Sequence, residues 1–215
     1  MASGFVCHGG AIYNNHGELT IIESTLTENT ARDSGGAIDN SGELTVSDCT
    51  FTENKANYGG AIDNSGELIV SNDSILTKNT ASAGGAISNI GELTVSCSTL
   101  TENEAHVHGG AIYNKKNNYK KGKLTITEST LQENTAQGKS IFDGNGGAID
   151  NSGELTVSDS TLTGNTAQEN GGAIYHFSGE LTISDSTLTR NTAKESGGAI
   201  CLAKSKYFRE KELKY

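Results

Sequence analysis

One tetrapeptide, Gly-Gly-Ala-Ile, recurs through this chain and constrains its fold more than any other feature. It occurs eight times, with successive spacings of 26, 24, 25, 25, 37, 25 and 26 residues. Repeats of about 20 to 50 residues are typical of solenoids, in which each copy buries its apolar face by stacking on its neighbours. The eight copies begin at Gly9, Gly35, Gly59, Gly84, Gly109, Gly146, Gly171 and Gly197.

The repeat unit has the pattern of three short strands. Its consensus is GGAIxNxGELTVSxSTLTxNTA, followed by a few polar residues. The β-prone runs around AIxN, ELTVS and STLT are separated by Gly, Asn, Asp and Ser, which favour turns. We therefore predict an all-β fold, a right-handed single-stranded parallel β-helix (solenoid) with about seven rungs of three strands. The helix covers residues 1–201, and residues 202–215 form a charged C-terminal cap or tail.

The alternation of side chains along each strand predicts which residues form the core. Leu44 and Val46 point inward in the second strand of their unit, and Phe51 points inward in the third. The equivalent positions are apolar in all seven units. Stacking therefore buries a continuous apolar interior, which supplies the stability that a lone rung lacks.

Asparagine occupies one turn position in all seven units. Because a side-chain amide can donate and accept hydrogen bonds at once, we interpret this column as an internal ladder along the stack. A second asparagine column begins at Asn14 and ends at His176. The residues of the predicted ladder are Asn29, Asn54, Asn79, Asn103, Asn134, Asn165 and Asn191.

The unit that begins at Gly109 is longer than the others. Its spacing is 37 residues instead of about 25, and the extra residues enter as two inserts, 115–123 and 137–145. Insertions in repeat proteins often carry the binding surface, although a run of lysines is also typical of a solvated loop. The candidate binding residues are Lys115, Lys116, Tyr119, Lys120, Lys121, Ile141 and Phe142.

The charge and hydropathy of the chain limit its partners. The formal net charge is −10 at pH 7, which repels polyanions, so we expect no nucleic-acid partner. No apolar run approaches the roughly 20 residues of a membrane-spanning helix, and residues 1–7 lack the pattern of a signal peptide.

We predict no cofactor and no metal centre. The four cysteines fall at different repeat positions, so neither a disulfide nor a zinc motif results. His106 and His108 are two residues apart, but a third metal ligand is not evident. A stripe of glutamates that includes Glu43 and Glu67 predicts at most opportunistic calcium binding. The cysteines are Cys7, Cys49, Cys97 and Cys201.

Two alternative functions follow from the outer faces of the strands. Asp39 and Asp63 stack on adjacent rungs, like the acidic pairs of β-helical glycosidases, which indicates a pectate-lyase-like polysaccharide-degrading enzyme. The same column elsewhere carries Tyr, Ser and Cys, which is typical of a tolerant outward position. The outward Thr-x-Thr array of the third strand indicates an ice-binding surface, but Ile75 and Gln132 interrupt it.

The pairing of GGAI with a later FxxN motif carries a family resemblance. The FxxN motif is complete in Phe51-Thr52-Glu53-Asn54 and appears as LxxN in the other units. Residues 9 to about 200 resemble the repeats of chlamydial polymorphic outer membrane proteins and of adhesin-like β-helix proteins. The resemblance implies a non-enzymatic adhesin-like segment at the cell surface or outside the cell. It implies a host-cell or glycan ligand, and the exposed strand edges of such a rod also permit end-to-end self-association.

Overall fold

A computed structural model describes residues 8–138 and 143–203 of the chain. The described residues form a coil in which each repeat makes one rung, counted from one GGAI motif to the next. The strands form four sheets, and every strand pair within these sheets is parallel. The structure thus confirms the predicted parallel β-helix.

Sheet 1 contains the strand that follows each GGAI motif. Asn40 at the end of its second strand pairs in register with Asn64 of the next rung, and the same register continues along the stack. Its strands are Ile12–Asn14, Ile38–Asn40, Ile62–Asn64, Ile87–Asn89, Ile112–Asn114, Ile149–Asn151, Ile174–His176 and Ile200–Leu202.

Sheets 2 and 3 contain the other two predicted strands of each rung. The strands of sheet 2 are Glu18–Ile22, Glu43–Ser47, Glu67–Ser71, Glu92–Ser96, Lys123–Thr127, Glu154–Ser158 and Leu181–Ser184. The strands of sheet 3 are Thr25–Thr27, Thr50–Thr52, Ile75–Thr77, Thr99–Thr101, Thr130–Gln132, Thr161–Thr163 and Thr187–Thr189.

Sheet 4 was not predicted. Its five short strands lie between the asparagine ladder and the next GGAI motif, where alanine and polar residues show no strand alternation. In the first rungs this face is formed by isolated bridges, among them Thr30–Lys55, Lys55–Thr80 and Tyr58–Ala83. The strands of sheet 4 are Thr80–Ala83, Glu104–His108, Thr135–Ala136, Thr166–Ala167 and Thr192–Ala193.

The apolar columns face a single continuous core. Leu44, Val46 and Phe51 are buried, as are their equivalents in rungs 3 to 6. Side chains of the outermost described rungs, such as Leu19 and Leu188, are partly buried and pack against the same core. The predicted inward positions are therefore confirmed.

Both asparagine columns form hydrogen-bonded ladders. In the predicted ladder, the Asn54 side-chain amide donates to Asn79 Oδ1 at 3.0 Å, and the pattern repeats to Asn191. In the second column, Asn40 Nδ2 lies 2.8 Å from Asn64 Oδ1. His176 ends this second ladder with its Nδ1 atom 2.8 Å from Asn151 Nδ2.

Both ends of the chain lie largely outside the described residues. Cys7 and almost all of the predicted cap or tail, residues 204–215, lie outside the described residues, so the cap remains a prediction. Among residues 8–138 and 143–203, no helix has the length and apolar character needed to cross a membrane.

Candidate functional site

Residues 115–122 form an ordered hairpin that projects from rung 5 between sheets 1 and 2. Lys116 and Lys121 form an antiparallel bridge across its base. At its tip, the Asn117 side chain accepts hydrogen bonds from the backbone N–H groups of Tyr119 and Lys120, at 2.9 and 2.8 Å. Such side-chain-to-backbone bonds stabilise tight turns. The first predicted insert is therefore a defined structure, which we call the basic hairpin.

Lysines hold the basic hairpin against the rungs on both sides. Lys120 Nζ donates to the backbone carbonyl of Ser65, two rungs before, at 2.6 Å. Lys116 Nζ donates to Ser178 Oγ, two rungs after, at 2.7 Å. The sequence pattern also allowed a solvated loop, and these contacts show that two of its ammonium groups are instead engaged within the molecule.

Tyr119 occupies the exposed tip of the basic hairpin. Its side chain is 96% exposed. Phe177, which is 37% exposed, lies nearer the base, where Lys116 Nζ is 5.7 Å from its ring centroid. Exposed tyrosines on rigid supports are frequent anchors of protein interfaces. The second predicted insert is different, because Ile141 and Phe142 lie outside the described residues.

Lys115 connects the basic hairpin to sheet 1. It contacts the column formed by the middle residue of each sheet 1 strand, which includes Asp39, Asp63 and Asp150 and which we call the acidic column. Its Nζ atom lies 3.5 Å from Asp63 Oδ1 and 4.8 Å from the centroid of the Tyr58 ring. The repeat consensus contains no Lys or Arg, so the basic group beside Asp63 comes from the insert, as Lys115. The contact joins residues 52 positions apart and depends on how the insert folds.

Several side chains of the acidic column are more buried than the variety of residue types at this position indicated. Asp39, Ser88 and Asp150 are all buried, so the interpretation of a tolerant outward position is wrong for these three. Residues that precede the GGAI motifs cover the column. His8, for example, pairs with the Asp39 carboxylate and stacks on Tyr13 with ring centroids 5.0 Å apart. Burial raises the pKa of Asp39, and this effect outweighs the contact with His8.

The same trio of residue types recurs four rungs later. His108 stacks on Tyr113 with centroids 5.2 Å apart, and its Nδ1 atom lies 2.8 Å from Asp150 Oδ2. This is an ion-pair distance, although the Nδ1 atom has no partner in good hydrogen-bond geometry. Each trio therefore joins the histidine just before a GGAI motif to the tyrosine just after that motif and to the aspartate at the equivalent position of the next rung.

Burial and neighbouring charges shift the pKa values of the three residues in the second trio. Burial lowers the pKa of His108, but the contact with Asp150 and the charges of Asp150 and Asp143 outweigh this effect and raise it. Burial raises the pKa of Asp150 more than His108 lowers it. Burial and the Asp150 charge raise the pKa of Tyr113 to about 12.

The raised pKa of His108 predicts a pH-dependent stability. A group that binds its proton more tightly in the folded state stabilises it fully below the unfolded pKa, about 6.5 for histidine. This contribution is lost as the pH rises through the higher folded pKa. The free energy of unfolding should therefore fall as the pH rises above about 6.5 in the unmodified protein and fall less in His108→Gln. Urea titrations at several pH values measure this difference.

The exposed His16 offers a control for this experiment. His16→Gln should retain the slope of the unmodified protein. If His108→Gln also retained the full slope, the ion pair with Asp150 would not be the source of the pH dependence.

His106 and His108 contact different carboxylates. His106 Nδ1 lies 3.6 Å from Glu104 Oε1, whereas His108 faces Asp150. Within residues 8–138 and 143–203, no group of three or more His, Cys, Asp or Glu side chains is arranged to hold a metal ion. Cys49, Cys97 and Cys201 are free thiols.

The glutamate stripe runs across sheet 2 at the first residue of most of its strands. Glu43, Glu67 and Glu92 are in register on consecutive rungs, and Lys123 follows them in the next rung and contacts the Glu92 carboxylate. That hydrogen bond raises the pKa of Lys123. Calcium binding along this stripe remains a prediction.

The threonine array lies on sheet 3 with both predicted interruptions inside it. Thr50 pairs with Ile75, and Thr101 pairs with Gln132. An ice-binding function remains a prediction, and the absence of thermal hysteresis in a solution of the protein would exclude it.

Comparison with known proteins agrees with this architecture. Four segments match the sequence model of the Chlamydia polymorphic membrane protein (PMP) repeat, residues 48–65, 98–115, 159–176 and 185–203. These four segments are similar to the PMP repeat. Each matched segment spans one strand of sheet 3, one ladder asparagine, one GGAI motif and one strand of sheet 1. The predicted resemblance is thus confirmed in these four PMP repeats. No curated protein and no solved structure matches the chain.

Proposed function

We propose that this chain is a non-enzymatic, adhesin-like segment displayed at the cell surface, with the basic hairpin as its contact for a host-cell protein or glycan. The observation that carries the proposal is Tyr119, a large side chain that is 96% exposed at the tip of an ordered insert. The PMP repeat supports an outer-membrane or surface location. The proposal places the rod outside the cell.

The lysine contacts explain why the basic hairpin suits binding. Lys116 and Lys120 tie it to rungs 7 and 3, so its backbone is ordered before a partner arrives. Preorganisation lowers the entropy lost on binding. The buried core contributes no side chains to recognition, so an insert and the outer faces carry the variable chemistry of such a rod.

A hairpin-less variant tests the proposal. Rungs 2, 3, 4 and 6 join sheets 1 and 2 with a single residue and a glycine, as in Asn40-Ser41-Gly42-Glu43. Replacing residues 115–121 with one serine should therefore keep the fold while abolishing adhesion of protein-coated beads to cultured host cells. Circular dichroism and thermal unfolding verify that the variant is folded.

A point variant separates the tip from the rest of the hairpin. Tyr119→Ser should weaken bead adhesion by roughly tenfold or more, which is the effect expected for an interface hot spot. Tyr13→Ser, which changes another exposed tyrosine, is the matched control and should leave adhesion unchanged. Full adhesion by the hairpin-less variant, or no adhesion by the intact chain, would refute the proposal.

A polysaccharide-degrading enzyme is the second candidate. It is favoured by the raised pKa of Asp39 on a strand in register with that of Asp63, since glycosidases use two carboxyl groups of different protonation. Release of reducing sugar or unsaturated product from a polysaccharide panel, lost in Asp39→Asn and Asp63→Asn, would support it. An inactive protein across the panel would eliminate it.

A further inference from the structure

A cleft of about 260 Å³ lies on the sheet 4 face of rungs 1 to 4, where rungs 1 and 2 contribute isolated bridges and rungs 3 and 4 contribute the first two strands of sheet 4. Two outward rows flank it. One row contains Thr30, Lys55 and Thr80, and the other contains Arg32, Asn57, Ser82 and His106. The residues between the rows are the alanines Ala31, Ala56 and Ala81, of which the first and last are buried.

The cleft is basic although the chain as a whole is acidic. Its lining contains an arginine, a lysine and a histidine but no carboxylate. Glu104, which is in register with Thr80 on the next rung, places a carboxylate beside the cleft, and its Oε1 atom lies 3.6 Å from His106 Nδ1. In a chain with a formal net charge of −10, three basic side chains around one cavity create a local site for an anion.

The arginine and the lysine of the cleft are available to bind a ligand. Within residues 8–138 and 143–203, neither the Arg32 guanidinium nor the Lys55 ammonium forms an ion pair or a side-chain hydrogen bond. The lysines of the basic hairpin differ, since Lys115, Lys116 and Lys120 each contact the rod. An anion that meets this molecule therefore finds uncompensated positive charge at the cleft.

We propose that the cleft binds an acidic sugar, one that carries a carboxylate or sulfate group. Arg32 and Lys55 would hold the anionic group, because a guanidinium and an ammonium are the usual protein partners of carboxylate and sulfate. Thr30, Thr80 and Asn57 supply the hydroxyl and amide groups that hydrogen-bond sugar hydroxyls. Small-molecule sites usually measure about 300 to 1,000 Å³, so the cleft suits one sugar unit of a glycan better than a long segment.

The proposed sugar site does not depend on the basic hairpin. The hairpin projects between sheets 1 and 2 of rung 5, whereas the cleft lies on the face before the GGAI motifs of rungs 2 to 5. The hairpin-less variant should therefore bind an acidic sugar as well as the unmodified chain does. Failure of the hairpin proposal and failure of the cleft proposal are thus distinguishable.

Titration calorimetry and saturation-transfer NMR with defined oligosaccharides test the cleft. The probes are 3′-sialyllactose, which carries a carboxylate, a sulfated heparin tetrasaccharide, and neutral lactose. We expect at least one acidic probe to bind and lactose to bind at least about tenfold more weakly. The tighter acidic probe identifies which anionic group the cleft prefers. Equal binding of lactose, or no binding of either acidic probe at millimolar concentration, would overturn the proposal.

A charge-matched pair of variants locates the binding. Arg32→Gln/Lys55→Gln removes the two cleft cations. It should weaken binding by about tenfold or more, because the anionic group of the sugar loses both of its cationic partners. Arg190→Gln/Lys78→Gln removes one arginine and one lysine elsewhere and should change affinity less than about twofold. An equal loss in both variants would indicate diffuse attraction, and a loss in the hairpin-less variant would place the sugar elsewhere; either result overturns the assignment.

Discussion

Gly85→Ala is expected to destabilise the protein by at least about 3 kcal/mol, near the upper end of what single substitutions cost. Gly85 is the second glycine of its GGAI motif. A Cβ atom there would lie 2.1 Å from Gly110 O and 2.7 Å from Glu104 N. Both are backbone atoms, so relief requires neighbouring rungs to separate. Urea denaturation followed by circular dichroism measures the change in the free energy of unfolding.

Gly198→Ala is the matched control for this prediction. Gly198 occupies the same motif position, but among residues 8–138 and 143–203 the nearest atom to its Cβ would be Asn191 O at an ordinary 3.4 Å. The control should change the free energy of unfolding by less than about 1 kcal/mol. Equal effects at Gly85 and Gly198 would show that close contact between rungs is not what requires glycine.

Asn79→Ala should cost about 3 to 5 kcal/mol, because it leaves several buried polar groups without partners. The Asn79 side chain is fully buried. It donates to Phe51 O and Asn103 Oδ1, both at 3.0 Å, and its oxygen accepts from the backbone N–H and side-chain amide of Asn54. Alanine removes all four contacts while leaving the strands unchanged.

Asn29→Ala tests the same ladder at its first described member. The Asn29 side chain is partly exposed and donates one hydrogen bond, to Asn54 Oδ1 at 3.0 Å. Its loss should cost about 1 kcal/mol, the net value of a typical hydrogen bond. If Asn79→Ala cost no more than Asn29→Ala, the ladder would be a consequence of stacking and not a contributor to its stability.

The core and the ladder were predictable because repetition makes their period explicit. The positions of Leu44 and Asn54 hold the same residue in each of seven units and that of Phe51 holds leucine in the others, and parallel stacking turns this equivalence in sequence into spatial contact. Sheet 4 was not predictable in this way. Some of its strands are only two residues long, such as Thr135–Ala136, and two residues cannot show an alternating pattern.

The contacts of the candidate sites were less predictable, because they depend on residues that break the period. The contact of Lys115 with Asp63 requires the folded path of an insert. The His108–Asp150 pair carried a usable signal. At both His8 and His108, a histidine just before a GGAI motif coincides with a tyrosine just after that motif and an aspartate after the next motif. A comparison of repeats within the chain reveals this joint occurrence.

Distances between spin labels on sheet 2 test the stacking of rungs most directly. After replacement of the native cysteines, labels are introduced at Thr45 and Thr156, four rungs apart, or at Thr20 and Thr182, six rungs apart. With about 4.8 Å per parallel strand, electron–electron double resonance should give mean distances of about 19 and 29 Å. Distances that do not increase in proportion to the number of rungs would contradict the parallel β-helix and every proposal built on it.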